Sequence, residues 1–224
     1  PKSNVEERLY VWYCEDSQRL IILRFVFKTF DENAKLIMKR AIETLDCHNE
    51  KINVWSLMNI YFETPRSFLL TNTKITVGRA QFMFADRKLS TFSDMYLRIL
   101  IEYFSMANLI FKDTYKDLIN WFEKNYYKDL RKIIKERRLK FEPFEPRNIR
   151  RHKVEIRNGV TRSGVTWRKT TVGSNATWYC SRMNRIYSIT VITTLSRPLP
   201  LKRIFDEEAH LKLMDDILVS FRCH

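Results

Sequence analysis

Four cysteines and four histidines supply the residue types that hold soft metal ions, and most of them fall in a repeated pattern. Trp-Tyr-Cys occurs at 12–14 and again at 178–180, and Cys-His occurs at 47–48 and at 223–224. Zinc takes four such ligands converging as a tetrahedron, so Cys14, Cys47, His48, Cys180, Cys223 and His224 are the candidate donors. Neither a Cys-x-x-Cys nor a His-x-x-x-His pair is present to form the usual local chelate, and neighbours such as Cys47 and His48 share one ion only with strain. Two other fates compete. The repeat favours disulfides Cys14–Cys47 and Cys180–Cys223 among the three connectivities that four cysteines allow. Alternatively, all four are small buried hydrophobes in a reduced core. The sequence ranks reduced core cysteines first, disulfides second and zinc last, and no cofactor is expected.

A second set of residues is suited to phosphate. The formal net charge is +14, and Lys124–Lys169 holds 16 basic and 5 acidic residues, so +11 of that charge is local. Lys124, Lys128, Arg131, Lys135 and Arg138 recur at spacings of four and three, one stripe of a helix. Arg150, Arg151 and Lys153 follow, then Arg157, Arg162, Arg168 and Lys169 in a stretch rich in Gly, Ser and Thr that also carries Trp167. Cations, hydroxyls, free backbone N–H groups and an aromatic face are what a nucleic-acid backbone and its bases engage. An acidic partner protein or an anionic membrane surface would be drawn to the same stripe, and interleaved acids could simply pair it. Aromatic RNP, helix-turn-helix and GxxG patterns are missing.

Catalytic signatures are absent. Four scattered glycines leave no phosphate-cradling loop, and neither Gly-x-Ser-x-Gly nor His-Glu-x-x-His is found. His152, Lys153 and Glu155 are close in sequence, but on a strand His152 and Glu155 face opposite ways. The expectation is a non-enzymatic basic protein that binds nucleic acid or another polyanion through 124–169. The alternative is an assembly subunit docking an acidic protein or an anionic membrane.

The elements that must position these residues repeat as well. At an offset of 166, Trp12-Tyr13-Cys14 falls on Trp178-Tyr179-Cys180 and Arg19 on Arg185; at 176, Cys47-His48 falls on Cys223-His224. Each copy, about 9–48 and 175–224, reads as strand, turn, long strand, loop and a helix closing near Cys-His. The apolar run 19–27 predicts a central strand covered on both sides. Acidic first turns and apolar spacing predict helices over 31–46 and 206–221. Between the copies, 52–84 predicts two or three strands with turns at Thr64-Pro65 and near Asn72. Helices are expected over 93–111 and about 114–139, the latter burying Tyr115, Leu118, Phe122, Tyr126, Leu130 and Ile133. Residues 141–148 read as a proline-bearing linker, and Asn158-Gly159 as the turn of a hairpin. The predicted class is α+β, an antiparallel sheet with helices packed on it, built around a duplicated strand–helix unit.

The length fits one domain with internal pseudo-symmetry, any boundary falling at 141–148 between 1–140 and 149–224. The apolar run 95–111 contains Arg98 and Glu102 and is a poor membrane span. No signal-peptide-like run opens the sequence, so a cytoplasmic protein is expected. Few glycines and many Lys, Arg and Ile resemble a heat-adapted composition, a setting in which intracellular disulfides do occur.

Overall fold

The computed structural model describes residues 5–15, 19–45, 51–109, 114–143, 146–198 and 205–224. The chain divides into two compact units, 1–53 and 54–224. In the first, β1 (Glu6–Cys14) and β2 (Arg19–Phe27) form an antiparallel hairpin in which Cys14 lies opposite Arg19. Helix α1 (Glu32–Thr44) follows, its N-terminus capped by the Asp31 carboxylate, which accepts from the Ala34 N–H at 2.8 Å. That bond satisfies one of the unpaired donors of the first turn. The central, doubly covered strand expected at 19–27 is instead half of a two-stranded sheet, with Leu20, Ile22 and Val26 exposed. An apolar run favours extended chain without selecting its neighbours. Cys47 and His48 lie outside the described residues.

A hairpin of β3 (Ile52–Leu57) and β4 (Ile60–Pro65) is followed by β5 (Leu69–Thr76), β6 (Arg79–Ser90) and β7 (Ser93–Ser105). Helix α2 (Thr114–Trp121), a π-helical turn (Phe122–Tyr126) and α3 (Tyr127–Ile133) come next. Two short strands, β8 (Glu142–Pro143) and β9 (Arg147–Ile149), precede β10 (His152–Ser163), β11 (Trp167–Cys180), β12 (Arg185–Pro198) and α4 (Glu207–Ser220). The main sheet is antiparallel in the order β5-β6-β7-β12-β11-β10-β8, with β9 also on β10. The architecture is α+β. Among the described residues no helix is long and apolar enough to cross a membrane.

Three expectations change here. Residues 93–105 are a strand, not a helix. Both faces of β7 are covered, so apolar residues run continuously, and length alone did not separate a long buried strand from a buried helix. Four strands, not two or three, occupy 52–90; the chain turns at Val77-Gly78, while a bulge falls between Leu70 and Asn72. Asn158-Gly159 sits within β10, and the hairpin turns at Gly164 (φ 91°). Gly159 is opposite Gly173. A Cβ on Gly159 would lie 2.0 Å from the Lys140 carbonyl oxygen, and one on Gly173 2.6 Å from Leu139 Cδ2. The paired glycines therefore admit the 139–141 segment against the sheet.

Alternation along the strands sorts the core into two layers. One face of the sheet, with Ile99, Ile101, Ala176, Trp178, Tyr187 and Ile189, packs on α4 through Leu213, Met214, Ile217 and Leu218. The other, with Leu100, Ile186 and Ile192, packs on Leu118, Trp121, Phe122, Tyr126 and Leu130 of the α2–α3 layer. Glu102 on β7 is fully buried beneath that layer. It accepts from Arg79 at 2.8 Å, from Gln81 at 2.5 Å and from the Tyr126 hydroxyl. Burial and the adjacent carboxylate push the Tyr126 phenol well up, so it stays a donor. Removing one partner of such a pair costs about 3–5 kcal/mol. On the α4 face, His210 bridges Ser174 (3.1 Å) and Thr193 (2.8 Å).

Gly159→Ala forces Lys140 away and should lower unfolding stability by about 1–3 kcal/mol, as overpacking does; an unchanged denaturant midpoint would contradict this close approach. Burial lowers the His210 pKa to about 4. The unfolded chain then binds the extra proton first. Stability contributed by neutral His210 is complete above roughly pH 6.5 and is lost as the pH falls toward 4, on the order of 3 kcal/mol in all. Midpoints measured from pH 7 to 4 should fall less steeply in His210→Gln.

Candidate functional site

Six cations meet at one end of the β10–β11 hairpin. Arg131, Lys132, Lys135, Arg137, Arg138 and Lys169 line a cleft of about 420 Å³ together with Glu136 and the hydroxyls of Thr161, Ser163 and Thr171. Thr161 lies opposite Thr171 and Ser163 opposite Lys169, which puts all four on the sheet face beneath the helical layer. Chain geometry completes the cleft. α3 ends at Ile133, and Lys135 takes a left-handed conformation (φ 56°) that turns the backbone back over the sheet. Arg98 on β7 anchors that turn by donating to the Ile134 carbonyl (2.5 Å) and to Glu136 (3.2 Å). Glu136 also accepts from Lys169 at 2.9 Å. The one carboxylate among the lining residues is thus already engaged.

The expected helical stripe is partly redistributed. The buried positions Leu118, Phe122, Tyr126 and Leu130 are as expected. Lys124 and Lys128 are exposed on the helical layer, away from the cleft lining, while Lys135 and Arg138 lie beyond the helix end, where the chain has turned. Arg157 is removed from the expected surface: it is 2% exposed, 4.0 Å over the Phe122 ring and 3.6 Å from Glu155. Its odd position on β10 points it under the helices. Arg162 and Arg168 alternate with the cleft residues and so project from the opposite face. Trp167 shares the face of Lys169, two positions away, and is 55% exposed. Arg150 and Arg151 form the two-residue β9–β10 turn in left-handed conformations (φ 47° and 69°). With Lys153 they stand at the far end of β10, eight or more residues and so at least about 26 Å along the strand from Thr161.

A second cluster occupies that far end, on the α4 side of the sheet. His152, Cys180, Cys223 and His224 bring one donor atom each to within 4.8 Å of one another, the sole cluster of metal-ligand type among the described residues. Cys223 Sγ is 3.3 Å from His152 Nε2 and 3.2 Å from His224 Nδ1, and Cys180 Sγ is 3.5 Å from His224 Nδ1. This arrangement could hold a metal ion. Of the expected donors, Cys180, Cys223 and His224 converge, and Cys14 is buried at the end of β1 in the first unit. Cys180 and Cys223, which the repeat made a candidate disulfide, are free thiols here. Burial and the neighbouring Cys180 push the Cys223 thiol up to about 12; burial and the charge of His224 push His152 below its ordinary value. His152 was not among the expected donors, because its partners lie 28, 71 and 72 positions away, beyond any local spacing motif.

No protein-family model matches the chain, and no curated protein does. Among solved structures it is similar in fold to the Ran-binding protein Mog1p of Saccharomyces cerevisiae, at 12% identity and a TM-score of 0.43 over 78% of this chain and 96% of that one. It is also similar to the PsbP protein of the cyanobacterium Synechocystis, at 12% identity and a TM-score of 0.43 over 81% and 99%.

Arg98→Met removes the tether of the 134–136 turn. Amide hydrogen exchange at 134–138 should accelerate and stability should fall by about 1–3 kcal/mol, the cost of charged hydrogen bonds; unchanged exchange there would contradict the anchoring role.

Proposed function

We propose that the protein is a non-enzymatic basic protein that binds nucleic acid through the cleft between the α3 end and the β10–β11 hairpin. The observation that carries this is a concave set of six cations facing three hydroxyls, with its one carboxylate tied up by Arg98 and Lys169. Phosphates would replace water on these cations, and the exposed Trp167 on the same strand face offers a base a stacking platform. The binding set is therefore Arg131, Lys132, Lys135, Arg137, Arg138 and Lys169 with Trp167. Arg150, Arg151 and Lys153 fall outside it. An acidic partner protein or an anionic membrane is the second occupant such charge would attract.

We also infer that the two strand–helix units descend from one. Supporting this, Cys14 pairs with Arg19 and Cys180 with Arg185 in the same register. Each following helix is capped by an aspartate, Asp31 or Asp206, accepting from an alanine N–H at 2.8 Å.

Binding of labelled mixed-sequence DNA and RNA, measured from about 50 to 200 mM salt, tests the proposal. Affinity should fall steeply with salt, and changing Arg131, Lys135, Arg138 and Lys169 together to Ala should flatten the log–log slope by about 3. Changing Arg150, Arg151 and Lys153 to Ala should leave the slope nearly unaltered. Absence of binding at the lowest salt, or binding to anionic vesicles alone, would overturn it.

A further inference from the structure

Independently of the anion cleft, we propose that His152, Cys180, Cys223 and His224 form a structural zinc site. The four side chains come from three separately anchored places. His152 opens β10 and Cys180 closes β11; both strands are locked in the main sheet, where Glu155, three residues after His152, faces Thr177, three residues before Cys180. Cys223 and His224 follow α4, and the chain before them is pinned by two backbone hydrogen bonds between Arg222 and Tyr61, at 2.7 and 2.9 Å. Phe221 packs among Phe62, Trp178 and Tyr187 one residue earlier. The adjacency of Cys223 and His224 is therefore no obstacle. The extended backbone leaving α4 (Phe221 φ −64°, ψ 130°) delivers the Cys223 sulfur and the His224 Nδ1 to one point, 3.2 Å apart.

Three of the six donor-to-donor edges are close to those of a zinc tetrahedron, and all six are within 4.8 Å. Zinc bonds of about 2.3 Å to sulfur and 2.0–2.1 Å to nitrogen imply donor-to-donor edges of about 3.4–3.8 Å. The edges from Cys223 to His224 and His152 and from Cys180 to His224 are 3.2, 3.3 and 3.5 Å and the remaining ones are no longer than 4.8 Å, so side-chain movements of about 1 Å bring the four donors onto one ion. Two thiolates and two imidazoles are a donor set preferred by zinc, and four protein ligands leave no position open for water, which marks a structural and not a catalytic ion. Buried thiolates facing one another are unfavourable alone and become favourable around a dication. The surroundings fit as well. His152 hydrogen-bonds the backbone of Tyr179, next to Cys180, the contact that commonly orients a metal-bound imidazole. Cys180 and Cys223 are buried, shielding the bonds from solvent. The ion would tie the C-terminal segment to β10 and β11.

Reduced, metal-free full-length protein titrated with Co²⁺ and then Zn²⁺ tests this. The expected result is one ion per chain, intense visible bands of tetrahedral cobalt with thiolate charge-transfer bands, and displacement by zinc. The Cys14→Ser/Cys47→Ser double variant should keep this spectrum, Cys180→Ser and Cys223→Ser should lose it, and His152→Ala should weaken zinc at least tenfold. Should the cysteine variants fail to fold, alkylation mapped by mass spectrometry on the unaltered chain decides: zinc should protect Cys180 and Cys223 and leave Cys14 and Cys47 no less reactive. Folded wild-type protein that takes up no ion, an octahedral cobalt spectrum, loss of the spectrum in the Cys14/Cys47 variant, or unprotected Cys180 and Cys223 would each overturn the site.

Discussion

Successive residues on a β-strand face opposite ways, and β10 and β11 carry that alternation over 12 and 14 residues. Both candidate sites in the second unit depend on it. Even positions of β10 and β11 face α4, and odd positions face the α2–α3 layer. The same two strands therefore present His152 and Cys180 to one layer and Thr161, Ser163, Lys169 and Thr171 to the other, at opposite ends. The antiparallel register holds both ends, since a slip of one residue would exchange the two faces. The facing pair Gly159–Gly173, midway along, lets the 139–141 segment lie close enough to bring the basic turn over the sheet.

Charge that is contiguous in sequence is thereby divided in space. Of the cations expected to share one surface, Arg131, Lys135, Arg138 and Lys169 do so, and Lys132 and Arg137 join them. Arg157 is spent inside, over Phe122, and Arg150 with Arg151 forms the turn beside the cysteine–histidine cluster. What concentrates the field is the turn after α3, held by Arg98 and by a shared Glu136. A straight helix to 139 would have spread the same charges along a solvated stripe.

Much of this was legible in the chain, and the reason lies in which signals are local. The strand ends at Cys14 and Cys180, the acidic first turns of α1 and α4 and the buried stripe of 118–130 depend on near neighbours, and each reads correctly. Residues 93–105 do not, because a strand covered on both faces has lost the period that identifies it. Asn158-Gly159 looks like a turn because glycine is needed in turns; here it is needed for the approach of Lys140. Cys180, Cys223 and His224 were visible as candidate ligands within a set that also held Cys14, Cys47 and His48. His152 carries no local signal, because its sequence neighbour Glu155 faces the other way and its companions arrive from β11 and from the end of α4.

The proposed separation of an anion-binding end from a cysteine–histidine end on the same strands is tested most directly by hydrogen exchange with and without a mixed-sequence oligonucleotide at low salt. Protection should appear at 131–138 and 161–171 and be absent at 150–153 and 222–224. Protection confined to 150–153, or spread evenly over both ends, would contradict the division.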